Sequence, residues 1–121
     1  MTKRILIVED TEDNRQILRD LLTVAGYELL EAIDGEAGVA MASAEKPDLI
    51  LMDIQLPQID GYEATRRIKA DPALRHIPIV AVTSYALSGD EEKTRAAGCD
   101  AYVAKPFSPR QLLAKVRELL G

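Results

Sequence analysis

Asp48-Leu49-Ile50-Leu51-Met52-Asp53-Ile54-Gln55-Leu56-Pro57 is an apolar run that ends abruptly on a carboxylate. Leu49 to Met52 show no polar alternation, the pattern of a short strand buried on both faces. Pro57 bars easy continuation, and Gly61 follows soon after. Asp53 therefore stands at the carboxyl end of a central strand. In an open parallel sheet that edge is where ligands bind. Taken alone, Asp53 reads equally well as a solvated loop aspartate, because charged residues are usually exposed.

The flanking chain repeats the same unit. Ile5-Leu6-Ile7-Val8 is a second buried run, and it ends on Glu9-Asp10. Thr11 or Asp13 caps the next helix, whose apolar stripe is Ile17, Leu18, Leu21, Leu22 and Ala25, with Gly26 as its stop. Tyr27 to Ile33 reads as a strand. Asp34-Gly35 then opens an alanine-rich helix with Ala37, Ala40, Met41 and Ala44 on one face. After the Asp53 strand, Asp60-Gly61-Tyr62-Glu63 resembles a capping box. That helix runs to about Ala70, with Ala64, Thr65 and Ile68 inward and Asp71-Pro72 as its end. Pro78 to Val82 is a strand ending on Thr83-Ser84. A polar helix opens at Ser88-Gly89-Asp90-Glu91 and ends at Gly98. Ala101 to Ala104 is the last strand, ending on Lys105-Pro106. Ser108-Pro109-Arg110-Gln111 starts a helix striped with Leu112, Leu113, Val116, Leu119 and Leu120.

Strand and helix thus alternate five times, which implies an α/β domain: a doubly wound parallel sheet with helices on both faces. Residues 1–121 read as one domain, without a linker or low-complexity tract. The net charge of −5 argues against a nucleic-acid surface. Cys99 is the only cysteine, so no internal disulfide forms and a cytoplasmic, reducing compartment fits. No apolar run approaches the ~20 residues of a membrane span.

Four of the five strands end on a chemically active side chain: Glu9-Asp10, Asp53, Thr83 and Lys105. A doubly wound sheet gathers such ends in one crevice. Each has a bland explanation, as helix-start acid, strand-end residue or surface lysine. Together at one sheet edge they do not share one. Three close carboxylates need a proton or a cation, and an all-oxygen set suits Mg²⁺. An aspartate facing such an ion and a lysine is placed to attack phosphorus and form an aspartyl phosphate. Alignment and charge neutralisation are most of what that chemistry needs, and Thr83 would meet the new phosphoryl oxygens.

Ile5 to Asp10, Leu49 to Pro57 with Gly61, Val82-Thr83, and Tyr102 to Pro106 resemble, in order and spacing, the motifs of the receiver domain of two-component response regulators. The resemblance covers the whole chain and is nearest to stand-alone, DivK-type regulators, since the sequence ends one helix after the lysine. It implies a flavodoxin-like sheet in order 2-1-3-4-5. It implies Asp53 as phosphoacceptor, with Mg²⁺ held by Glu9, Asp10, Asp53 and the backbone carbonyl of Gln55. Lys105 would pair with the phosphate, and its bond to Pro106 would be cis. Thr83 and Tyr102 would form a switch pair acting on the surface of the fourth helix, fifth strand and fifth helix. Ser84 departs from the small residue common in the family. Tyr85, with Gln55, would flank the approach of water to the phosphoryl group and slow its loss. The implied partners are a histidine kinase or histidine phosphotransfer protein and a downstream protein, with the chain a monomer or a weak phosphorylation-dependent dimer.

Rival readings are a small aspartyl-phosphate phosphatase, a receiver fragment of a longer hybrid kinase, and a flavin carrier. Aspartate-nucleophile phosphatases usually carry a second acid two residues after the first, where this chain has Gln55. The acidic run Glu9 to Asp13 would repel a flavin phosphate. His76, the only histidine, reads as a solvated loop residue, Cys99 as a buried structural thiol, and Arg66, Arg67 and Lys69 as a solvated helix face.

Overall fold

The computed structural model describes residues 2–83 and 90–120. Its elements are β1 (Arg4–Val8), α1 (Glu12–Val24), β2 (Glu28–Ala32), α2 (Gly35–Glu45), β3 (Leu49–Asp53), α3 (Gly61–Ala70), β4 (Ile79–Thr83), α4 (Asp90–Ala97), β5 (Ala101–Ala104) and α5 (Pro109–Leu120). The five strands form one sheet in the order β2-β1-β3-β4-β5, and every neighbouring pair is parallel. This is the doubly wound, flavodoxin-like arrangement that the alternation and the resemblance imply.

Side chains alternate across each strand, and both faces are covered. On one face Leu6, Val8, Ile50, Met52 and Ile79 pack with Ala42, Ala64 and Ile68 from α2 and α3. On the other, Ile5, Ile7, Leu49, Leu51, Val80 and Val82 pack with Leu18 and Leu22 of α1 and Leu112 and Val116 of α5. Every residue of β3 and β4 is buried, which explains their unbroken apolar runs.

Register sets the level of the strand ends. Val8 lies beside Met52, Asp53 beside Val82, and Thr83 beside Ala104. Glu9, Asp53, Thr83 and Lys105 therefore fall within about one residue of a common level.

The helix caps are local sequence effects. Asp34 and Asp60 accept from the N–H groups of Ala37 and Glu63, and Ser108 Oγ from that of Gln111. Thr11 occupies the cap position of α1 without a side-chain cap bond. The proposed Ser88 cap lies outside the described residues.

Three expectations fail. Ile17 is 55 % exposed, so the buried part of α1 is the narrower pair Leu18 and Leu22. In α2 the buried positions are Gly35, Gly38 and Ala42; of the expected stripe, Ala37 and Met41 pack partly buried against the core, while Ala40 and Ala44 face solvent. Gly38 explains the rotation: a Cβ there would lie 2.8 Å from Val8 Cγ2, so the helix rests on β1 through its glycine. Lys69 does not lie on a solvated face. Its Nζ donates to the carbonyls of Arg75 (3.0 Å) and Ile77 (2.8 Å) and to Asp100 Oδ2 (3.0 Å). The same Asp100 oxygen accepts from the Ile79 N–H at 2.8 Å. Lys69 thus ties α3 to the entrances of β4 and β5.

Lys69→Met should lower the urea-derived stability by about 1–3 kcal/mol, because it strands several polar partners at once. Arg66→Ala, which removes only an exposed pair with Glu63, should change it by less than about 0.5 kcal/mol.

Candidate functional site

The carboxyl edge of the sheet brings the charged residues together. Lys105 Nζ lies 3.1 Å from Glu9 Oε1 and 3.4 Å from Asp53 Oδ2. Asp53 Oδ1 accepts from the Gln55 N–H (3.0 Å), and Glu9 Oε2 from the Thr11 N–H (3.2 Å). Glu9 and Asp53 are buried, whereas Asp10 is exposed. Each of these three carboxylates offers an oxygen within 4.8 Å of the others. Three carboxylates against one ammonium leave a net negative site, and its all-oxygen donors fit a hard divalent cation.

Main-chain contacts hold these side chains in place. The Glu9 N–H donates to Ala32 O (3.0 Å), the Ile54 N–H to Val82 O (3.0 Å), and the Lys105 N–H to Thr83 O (2.7 Å). The Lys105–Pro106 bond is cis. The start of α3 packs directly under the end of β3: a Cβ on Gly61 would lie 2.3 Å from Asp53 O. Only glycine allows that approach.

Thr83 is fully buried at the end of β4. Tyr102 is half-buried on β5, level with Ala81, and lines a separate hollow of about 240 Å³ with Thr94 and Lys115. The structure does not bring Tyr102 among the carboxylates. Ser84 and Tyr85 lie outside the described residues. A cavity of about 470 Å³ opens beside Asp53, Glu9 and Lys105, with Ile17, Leu18 and Phe107 on its apolar side. A second hollow, about 520 Å³, runs past Asp10, Gln55 and Lys93.

Asp10 has its carboxyl pKa raised above the ordinary value, first by desolvation and then by its hydrogen bond with Glu9. Burial likewise raises the Cys99 thiol, whose Sγ lies 3.7 Å from Thr65 Oγ1. His76 is exposed in a turn. Sequence reasoning missed Arg15, whose Nη1 donates to Glu9 O at 2.9 Å, because a bond to a backbone carbonyl leaves no side-chain pattern.

Comparison with known proteins agrees with this geometry. The response regulator receiver domain family matches residues 5–117. The chain belongs to that family. It is 46 % identical to the polar-differentiation response regulator DivK of Brucella ovis over 121 residues, all of this chain and 98 % of that one. Among solved structures, a putative response regulator from Chloroflexus aurantiacus superposes with a TM-score of 0.95 at 32 % identity, covering 99 % of this receiver and 98 % of that chain. The receiver domain of the sensor histidine kinase PA1611 from Pseudomonas aeruginosa, described with magnesium coordinated in its active-site cleft, gives 0.93 at 39 % identity over 100 % and 99 %. Vibrio cholerae chemotaxis protein CheY4 gives 0.93 at 28 % identity, over 99 % and 100 %. This receiver is thus a two-component signalling module rather than a classical enzyme. No helix among its described residues is long and apolar enough to cross a membrane.

The raised Asp10 pKa fixes the sign of a stability effect. The fold favours the protonated form, so stability falls as pH rises through the ordinary carboxylate value toward the raised one. Asp10→Asn should therefore raise the melting temperature measured in EDTA at pH 7.

Proposed function

We propose that this receiver accepts a phosphoryl group on Asp53 and uses the modification to change how it meets a partner protein. The observation that carries the reading is Lys105 Nζ within 3.4 Å of both Glu9 and Asp53, beside the exposed carboxylate of Asp10.

A carboxylate oxygen of Asp53 attacks the phosphorus of a phosphohistidine or a small acyl phosphate. The new O–P bond forms as the donor's N–P or O–P bond breaks, and a histidine leaving group takes up a proton. Glu9, Asp10, Asp53 and the Gln55 carbonyl would hold Mg²⁺. When bound, that ion supplies positive charge to the carboxylates and the transferring group. Lys105 supplies further neutralisation from a fixed position at the end of β5, and Thr83 offers a hydroxyl. Gln55, Ser84 and Tyr85 would line the path of hydrolytic water.

Thr83 and Tyr102 act as the switch pair in this reading. Thr83 is buried on β4, and Tyr102 stands on the neighbouring strand beside a hollow that a turning ring would fill or vacate. The face made by α4, β5 and α5 would then be read by the downstream partner. The phosphoryl donor is a sensor histidine kinase or a histidine phosphotransfer protein, and the receiver is a monomer or a weak phosphorylation-dependent dimer. The 46 % identity to DivK, against 39 % to the sensor-kinase receiver, favours a regulator of the DivK kind.

Incubation with acetyl phosphate and Mg²⁺ should add one acid-labile phosphoryl group by intact-mass measurement, and Asp53→Asn should add none. Full-stoichiometry labelling of that variant contradicts the assignment. Sustained phosphate release from an added monoester favours the phosphatase reading instead.

A further inference from the structure

Glu9 is held at every polar group it owns. Its N–H donates to Ala32 O, and its carboxylate takes Thr11 N–H and Lys105 Nζ. The remaining group is its carbonyl, which lies in the peptide leading to Asp10. That carbonyl accepts from Arg15 Nη1 at 2.9 Å. The plane of the Glu9–Asp10 peptide sets where the Asp10 side chain begins, and Arg15 is bonded to the oxygen of that peptide.

Arg15 is itself constrained. Its side chain is only 12 % exposed. Nη2 is bonded to Glu12, and Nε lies 3.6 Å from Glu31 Oε1. Glu31 is in turn gripped by Arg19, at 2.9 Å and 2.7 Å, and Arg19 also reaches Glu12 at 3.3 Å. These contacts hold the Glu31 carboxyl below its ordinary value, chiefly through Arg19. The guanidinium thus sits in a frame of acids on α1 and β2 while it holds the Glu9 carbonyl. A planar fork holds the Glu9 carbonyl and Glu12 by hydrogen bonds at fixed angles while it faces Glu31, and an ammonium lacks that geometry.

We propose that Arg15 is a positioning residue for the cation pocket: through the Glu9 carbonyl it orients the Glu9–Asp10 peptide so that Asp10 stands close enough to Asp53 to share one divalent ion. The proposal rests on the reading of Glu9, Asp10 and Asp53 as that ion's ligands. It goes beyond that reading because Arg15 touches neither the ion nor the phosphoryl group.

The sign of one measurement separates positioning from plain charge. Arg15 is a cation near a cation site. If it acted only through its field, its removal would tighten Mg²⁺ binding. If it acts by orienting the peptide, its removal weakens binding, as the loss of groups that orient ligands commonly does by about 10–100-fold.

The experiment is calorimetric titration of Mg²⁺ into the wild-type chain, Arg15→Met and Arg15→Lys, alongside melting curves in EDTA. The expected result is Mg²⁺ binding at least about ten-fold weaker in Arg15→Met, with little rescue in Arg15→Lys, which keeps the charge but loses the fork. Unchanged or tighter binding in either variant overturns the proposal, whatever happens to the melting temperature. Should Arg15→Met fail to fold, Arg15→Lys decides by the same criterion. Wild-type titration and acetyl phosphate labelling of wild type and Asp53→Asn serve as controls. Their failure would defeat the underlying site reading, whereas intact controls with unaltered variants defeat only the role of Arg15.

Discussion

Two buried carboxylates, Glu9 and Asp53, share one ammonium, that of Lys105. Ionised carboxylates are costly to bury, and two side by side repel. Lys105 makes the arrangement tolerable, and the exposed Asp10 adds a further negative charge at its mouth. The site's net negative charge and all-oxygen donors fit a hard divalent cation.

The parallel sheet makes this clustering possible without any local sequence proximity. Glu9 and Lys105 are separated by 96 residues yet meet because register levels the strand ends. The core does the levelling. Strands buried on both faces cannot slip by one residue without exposing a whole apolar row. Glycine sharpens the fit where a helix must come close, at Gly38 over Val8 and at Gly61 under Asp53. The site thus depends on packing that lies well below it.

Much of this was legible in the sequence, for physical reasons. Doubly buried strands leave unbroken apolar runs, and a polar residue ending such a run marks the ligand edge. Glu9, Asp53, Thr83 and Lys105 each stand at such a run's end. What escaped notice depends on contacts that leave no pattern. The alanine-rich α2 has too little contrast between its sides to reveal which face is buried, so Gly38 and Ala42 were missed. Lys69 looked solvated because nothing local shows that the carbonyls of Arg75 and Ile77 return to meet it. Ile17 looked like core because a helical stripe predicts a direction, not the width of the surface it meets. Arg15 works on a backbone carbonyl, which every residue has.

A phosphoryl-like group should bind on Asp53 only when a divalent cation balances Glu9 and Asp10. The most direct measurement is ¹⁹F NMR of the chain titrated with beryllium fluoride, a tetrahedral stand-in for the phosphoryl group, with and without Mg²⁺. Protein-bound fluoride resonances should require Mg²⁺ and be absent in Asp53→Asn. Bound resonances of equal intensity without Mg²⁺, or in Asp53→Asn, would contradict it.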